Sequence, residues 1–372
     1  MKIDRFSQPD NTWRISLSTE DKEDVSRLWL IEYQMRFGSA KLKMGGIAGV
    51  GTNEAHRNKG YSRRVMEDST AFMTENGFDV AMLFGIPNFY PKFGYATVIP
   101  ETWIYLETEE AQAAVPTYQI RKFEKNDAPE ILSLYAANNA ERTGTPLRDE
   151  TRWKKFKMGS NFRVDADPYV VLDEGDMVVG YFVCDDTEEN CILCDIGFQD
   201  RTIFETIVCF LADRAKHTGA AQVQCHIPAD HPFTIFCRRY GCRTHTNNPK
   251  NSAGMMRIIN QSSTLKGISS ELGKRLRRSA DLSEWSGKIL ISTDIGQDCL
   301  EIDKGSVAHT NSRANTFNLE MPQDKLIQLM MGRRSIEDLV IEPDVSVSEG
   351  IIPVLEILFP LGHPHVWWPD RF

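Results

Sequence analysis

The sequence predicts an α/β chain with mixed sheets, in which two domains of like order stand in tandem ahead of a smaller third α/β domain. Three observations lead there. Short apolar runs alternate with amphipathic segments of helical period from residue 45 to residue 227. A Gly-rich strand, a basic turn and a helix follow one another at 45–76, an arrangement that gathers free backbone N–H groups and a helix dipole at one point. The same order of elements returns after residue 118, and 372 residues are too many for one compact core.

In chain order, residues 1–44 read as a short lead and a hairpin whose arms, 27–37 and 40–44, flank Gly38-Ser39. Residues 47–52 form an apolar, Gly-rich strand, and Gly inside a strand marks a place where a ligand or another backbone comes close. The turn 53–60 leads into a helix over 61–76, with Val65, Ala71 and Phe72 as its apolar stripe and Asn76-Gly77 as its stop. A buried strand at 78–84 and an aromatic loop, Phe89-Tyr90-Pro91-Lys92-Phe93-Gly94-Tyr95, come next. A strand at 102–106 and a Glu- and Ala-rich linker at 108–116 close the first domain, set at 1–115.

The second domain, 116–260, repeats the order, with a strand at 118–123, a helix at 127–141, strands near 169–172, 177–185 and 191–198, a helix at 203–216 and a strand at 221–227. Laid on the first, it puts Gln199 where Arg57 stood, Thr202 for Gly60, Phe204 for Ser62 and Cys237 for Tyr90. The fold is kept and the basic turn is lost. The third part, 261–372, offers a helix at 265–278, three strands at 287–293, 299–303 and 306–309, a helix opened by Pro322 and closed by Gly332, a strand ending at Val347 and a helix at 351–359.

Composition limits the function. No run of eighteen or more apolar residues exists, the N-terminus lacks the pattern of a signal peptide, and a cytoplasmic protein is expected. A net charge of −9 argues against nucleic-acid binding by phosphate neutralisation and suits a cationic acceptor, and no membrane partner is expected. Seven of the eight cysteines lie between Cys184 and Cys242 and read as reduced thiols. The spacings Cys191-x2-Cys194 and Cys237-x4-Cys242 allow zinc, but residues three apart on a strand face opposite sides, so no metal site is assigned. Cys237 beside Arg238 and Arg239 has the surroundings of a reactive thiolate, without an assignable His partner.

The turn Arg57-Asn58-Lys59-Gly60-Tyr61-Ser62 is suited to phosphate, although a solvated basic turn opening a helix would look the same. Together with the strand before it, the helix and strand after it and the aromatic loop, it resembles the acetyl-CoA-binding core of the GNAT superfamily of N-acetyltransferases. Nearly the whole chain resembles the Eis type of that superfamily, two GNAT-like domains followed by a sterol-carrier-protein-like domain. The resemblance implies acetyl-CoA as cosubstrate, with Val50 and Thr52 offering backbone groups to the pantetheine arm and Arg57, Asn58, Gly60, Tyr61 and Ser62 at the pyrophosphate. Ser62 departs from the superfamily's Gly/Ala but remains small. It also implies an amine acceptor (an aminoglycoside, a polyamine or a lysine side chain) and a homo-oligomer, a trimer-based hexamer among the forms it allows. The strand and two helices that normally open a GNAT domain before this hairpin have only about 25 residues standing in their place. Either those elements are reduced or the start lies upstream of Met1.

Acetyl transfer from a thioester also needs a polarised carbonyl, a deprotonated amine and a proton for the leaving thiolate. By the resemblance, the proton donor is Tyr90. The ending Trp367-Trp368-Pro369-Asp370-Arg371-Phe372 resembles that of Eis-type proteins, which implies that the C-terminal carboxylate of Phe372 reaches the first domain and acts as base for the amine. Packing alone would also account for Tyr90 and for the aromatic tail. A rival from another class keeps the fold without the reaction, as a regulatory protein that holds CoA or a lipid.

Overall fold

The computed structural model describes residues 1–21, 23–150, 153, 155–185 and 191–372. The chain opens on Lys2–Gln8 (β1) and Thr12–Ser18 (β2), antiparallel strands joined across Asp10 and Asn11, both at positive φ (64° and 52°), as a tight primed hairpin turn requires. The expected lead is therefore a hairpin. Its strands continue the sheet formed by Asp24–Phe37 (β3) and Ala40–Thr52 (β4), one unbroken strand through both segments foreseen at 40–44 and 47–52. Tyr61–Glu75 (α1) crosses to Val80–Gly85 (β5), parallel to β4, and Ala96–Ile99 (β6) follows. Helix α1 buries Val65, Met66, Ser69 and Met73; the stripe lies one position off the expected one, and Ala71 is exposed.

Here the chain leaves the first sheet. Glu101–Glu107 (β7), expected to close the first domain, pairs instead in the second sheet. The supposed linker begins with Thr108–Ala111 (α2), and Gln119–Lys122 (β8), Ala128–Asn138 (α3), Ala166–Leu172 (β9), Val178–Asp185 (β10), Cys191–Phe198 (β11), Phe204–Thr218 (α4), Gln222–Cys225 (β12), Pro232–Cys237 (α5) and Cys242–Asn247 (β13) build the second unit. The next strand, Ala253–Ile258 (β14), returns to the first sheet and lies between β5 and β6. The sheets run β1-β2-β3-β4-β5-β14-β6 and β13-β7-β12-β11-β10-β9-β8. Each unit thus lends one strand to the other, so the cuts at 115 and 260 do not follow the sheets.

The third unit begins with Gln261–Arg277 (α6), whose Asn260 side chain accepts the Ser263 N–H as a cap. Ser286–Thr293 (β15), Gly296–Asp303 (β16), Ser306–Thr310 (β17) and Thr316–Glu320 (β18) follow, then Gln323–Met330 (α7), Ile336–Leu339 (α8), Ser346–Val347 (β19) and Ile352–Leu358 (α9). The sheet order is β17-β16-β15-β18-β19, with β18, not foreseen, parallel to β15.

The first sheet is covered on both faces, and the two covers differ in origin. On one face α1 packs over Leu28, Leu30, Ile47, Ala81 and Leu83. On the other, Met35, Phe37, Leu42, Met44 and Met82 share one core with Leu265, Ile268 and Leu272 of α6 and with Leu326 and Ile327 of α7. A sheet with two apolar faces needs two covering layers, and the third unit supplies one of them.

Candidate active site

The site lies where β4 and β5 part. Their parallel pairing runs from Met44–Val80 to Ile47–Leu83 and stops there, while β4 continues to Thr52 and β5 to Gly85. The cause is local. Between Arg27 and Trp29 the β3–β4 register shifts by one residue, and Gly49 takes a left-handed φ of +56° in the extra position, a bulge that bends β4 away from its neighbour. Val50 and Thr52 stand on the diverging tip, with the Thr52 hydroxyl 2.9 Å from that of Ser26.

At the mouth of the split, Gly60 in the left-handed region (φ +76°) opens α1. The helix has no capping side chain and no acidic residue in its first turn, so the positive end of a fifteen-residue helix faces outward. Arg57, Asn58 and Lys59 precede it on the surface; Arg57 keeps 62% of its side chain exposed and has Glu54 3.4 Å away. Tyr61 and Ser62 are half-buried in its first turn, and Arg63 and Arg64, exposed, add cations that were not singled out in the sequence. Seven cofactor candidates therefore fall on two adjoining tips, Val50 and Thr52 on β4 and Arg57, Asn58, Gly60, Tyr61 and Ser62 around the start of α1.

Tyr90 stands beyond the tip of β5. Its ring lies against Gly85, where a Cβ would come within 2.5 Å of it, and its carbonyl accepts the Phe93 and Tyr95 N–H groups at 2.9 and 3.4 Å. Phe89 meets it edge-on at 4.9 Å. Burial raises the Tyr90 hydroxyl above its ordinary pKa, which keeps the proton on the oxygen at neutral pH. The ring belongs to the core on the α1 face of the sheet.

Phe372 reaches the same split from the other face. Its ring stacks on Tyr33 of β3 at 5.2 Å and meets Phe84 of β5 edge-on at 5.7 Å. A Cβ on Gly46 would stand 2.9 Å from both the Phe372 and Tyr33 rings, so the seat exists because residue 46 has no side chain. Neighbouring Gly45 instead faces Met73 of α1, as alternation along a strand requires.

The rest of the tail is held at every step. Trp367 is buried, and its indole N–H donates to Asn139 Oδ1 at 2.9 Å. Asp370 accepts from Arg148 at 2.9 and 3.0 Å and from the Tyr135 hydroxyl at 3.0 Å. Arg148 also pairs with buried Asp195 at 2.5 Å; burial, set against that pairing, pushes the Asp195 carboxyl up to about 6. Arg371, 3% exposed, forms a two-pronged pair with Glu101 at 3.0 and 3.1 Å. No sequence motif pointed to Tyr33, Gly46, Glu101 or Arg148; the Gly45-Gly46 doublet was the one visible signal, and its partner ring lies more than three hundred positions away.

The corresponding split in the second unit is filled. Strands β11 and β12 are parallel from Cys191–Val223 to Leu193–Cys225, and β11 runs on to Phe198. There Asn138 of α3 accepts the Phe198 N–H at 2.7 Å and donates to its carbonyl at 2.9 Å. The Asp200 carboxylate accepts the Thr202 N–H at 2.9 Å ahead of α4, Glu205 sits in the first turn, and Phe204 is core. Gln199 donates its N–H to Val179. Cys237 is buried; burial pushes Cys191 up to about 12 and Cys184 and Cys194 well up, which keeps those thiols protonated. Cys191 donates to Leu211 and Cys194 to Val183, and among the described residues no group of three or more His, Cys, Asp or Glu side chains is placed to hold a metal ion. Among the described helices none is long and apolar enough to cross a membrane.

Residues 4–98 match the family profile described as "Acetyltransferase (GNAT) domain". No curated protein matches the chain. Among solved structures, a protein of unknown function from Enterococcus faecalis described as a probable N-acyltransferase superposes with a TM-score of 0.76 at 16% identity, over 97% of this chain and 89% of that one. A GCN5-related N-acetyltransferase from Kribbella flavida gives 0.74 at 16% identity, over 96% and 87%. Eis1 from Mycobacterium abscessus gives 0.66 at 16% identity, over 96% and 91%. The chain thus has the fold of these GNAT structures along nearly its whole length, and residues 4–98 are similar to the GNAT acetyltransferase domain.

Proposed function

We propose that the protein is an acetyl-CoA-dependent N-acetyltransferase of the Eis type that transfers acetyl to an amine, an aminoglycoside, a polyamine or a lysine side chain, by direct attack. The observation that supports it most is the placement of Tyr90 and Phe372 on opposite faces of the first sheet at one strand split. A donor whose pyrophosphate rests on the start of α1, at Arg57, Asn58, Gly60, Tyr61 and Ser62, can run its pantetheine arm along Val50 and Thr52 into the split from the Tyr90 side. The acceptor enters from the Phe372 side. The amine nitrogen then bonds to the thioester carbon while a backbone N–H of the β4 tip holds the developing oxyanion. The C–S bond breaks, the thiolate takes the Tyr90 proton, and the proton on the new amide nitrogen passes, through water, to the Phe372 carboxylate. The carboxylate is a weak base in water, with a reference pKa of about 3.3 to 3.7, and relaying the proton through water lets it serve without direct contact with the amine.

In this reading the second unit is a GNAT domain without chemistry, and the third is a sterol-carrier-like domain that covers the first sheet and delivers the tail. Its apolar helix faces are occupied by that packing, which favours a structural role over lipid carriage. The protein is cytoplasmic and a homo-oligomer, without nucleic-acid or membrane partners. The test is release of free CoA from acetyl-CoA with kanamycin, spermidine or a lysine ester as acceptor. Release with at least one amine, lost when a single Gly is added after Phe372, is expected; that residue moves the carboxylate by up to about 3.8 Å and leaves the aromatic anchors in place. No release with any of the three would favour a CoA-holding regulator on the same fold, and full activity in the extended chain would remove Phe372 from the chemistry.

A further inference from the structure

We propose that Glu101 is a positioning residue, which fixes the terminal carboxylate at the strand split by clamping Arg371; the inference rests on the catalytic reading of Phe372 given above. A terminal residue frays unless it is tied down, and a reacting group has to be held to within about half an ångström. The Phe372 ring is seated between Tyr33, Gly46 and Phe84, but a seated ring still leaves the backbone next to it free to turn. That backbone is held at Arg371, by its N–H, which donates to the Trp368 carbonyl at 3.1 Å, and by its side chain. Its guanidinium meets both Glu101 carboxylate oxygens in a planar fork at 3.0 and 3.1 Å, and it lies over the Trp368 ring at 3.7 Å and the Phe84 ring at 4.6 Å. Phe84 is therefore a shared wall, with Arg371 stacked on it and Phe372 meeting it edge-on.

The place of Glu101 in the chain matters as much as its charge. It follows Ile99 and Pro100 at the point where the chain leaves the first sheet and begins β7 of the second. Its partner is the penultimate residue. The pair thus ties the tail to the first of the two crossings between these sheets, from β6 to β7, next to the split rather than at a remote surface. Arg371 is 3% exposed and the Glu101 side chain 15%, so the pair is shielded from water. A buried ion pair adds little net stability over an apolar replacement, whereas a forked pair fixes geometry, and that is what a terminal base needs. The second clamp, Arg148 on Asp370, holds the chain one step further back.

The experiment compares Glu101→Gln with the unaltered full chain in two assays. Carboxypeptidase A removes an accessible C-terminal Phe, and intact mass reads its loss without any acceptor; Glu101→Gln is expected to speed the loss of Phe372 about tenfold. With the amine acetylated in the CoA-release panel, the variant is expected to lower kcat about 10- to 100-fold while acetyl-CoA affinity stays within about twofold, because misplacement by an ångström costs that much. In the chain carrying an extra Gly after Phe372, the same substitution is expected to cost nothing more, since the carboxylate is already displaced. Should melting show Glu101→Gln to be unfolded, Glu101→Asp, which withdraws the carboxylate by one methylene, reads the same quantities. Unchanged Phe372 release in the folded variant would overturn the role of Glu101, as would a loss that multiplies in the extended chain. Faster release with unchanged kcat would instead contradict the base role of the terminus.

Discussion

The two strand splits of this molecule share an order of elements and differ in what surrounds them. In the first, the start of α1 is uncapped and flanked by Arg57, Lys59, Arg63 and Arg64, and the tip of β4 bends away on the Gly49 bulge. In the second, the chain has supplied its own ligands: Asp200 for the helix end, Asn138 for the strand edge and Phe204 for the space between. A helix N-terminus and a strand edge carry obligatory donors and acceptors. Where protein groups satisfy them the element is architecture, and where none does a ligand can. Among the described residues no side chain does for Val50 what Asn138 does for Phe198. The tail makes the same distinction, with Trp367 buried in the second core and the terminal Phe372 placed at the open split.

The largest expected effect breaks the comparison at Tyr90. Tyr90→Phe keeps the ring on Gly85 and removes the proton, so turnover should fall about 10²- to 10⁴-fold with acetyl-CoA binding little changed, as read by CoA release and calorimetry. Retained turnover would make Tyr90 scaffold, equivalent to its buried counterpart Cys237. Gly46→Ala comes next. Its Cβ would meet the Phe372 and Tyr33 rings at 2.9 Å, and relieving that contact should displace the terminal residue and cost about 1–3 kcal/mol of stability in a melting experiment, together with most of the activity. A variant as stable and active as the parent would mean that the seat is not where the ring binds.

How much of this was legible follows from distance along the chain. The Gly-rich strand, the basic turn, α1 and the aromatic loop lie within about fifty residues, and local period and turn chemistry locate them. The loss of the basic turn in the second unit was legible too, at Gln199, Thr202 and Phe204. The strand exchange was not: residues 101–107 alternate in a way that fits either sheet, and the choice is made by partners at 222–225 and 242–247. The first hairpin carries a turn signal at Asp10-Asn11, but its first strand is mostly exposed, so the apolar pattern that announces a strand is weak there. Glu101 and Arg371 are 270 positions apart and leave no local trace.

A smaller effect sharpens the contrast through pH. His226 and His231 line the seat of the tail in the second unit, 6.2 Å from Trp368 and 5.7 Å from Trp367, and burial holds both down to about 3. Their unfolded pKa is about 6.5, so above that value neither state binds the proton and nothing changes. Below it the unfolded chain takes up protons that the folded chain refuses, and stability falls by about 1.4 kcal/mol per pH unit for each histidine until the folded pKa is reached. Hydrogen exchange between pH 7 and pH 4.5 should therefore show the tail and the second unit loosening before β4, β5 and α1, and His226→Gln should flatten the slope. Equal loosening of both units would contradict this assignment.

The central claim is that one split receives acetyl-CoA and the other has become structure. Calorimetric titration of the full chain with acetyl-CoA tests it most directly. One site per chain is expected, weakened at least about tenfold in Arg57→Ala through loss of a charge-assisted phosphate contact and unaffected by Gln199→Ala. Two sites per chain, or a single site that survives Arg57→Ala and disappears with Gln199→Ala, would contradict it.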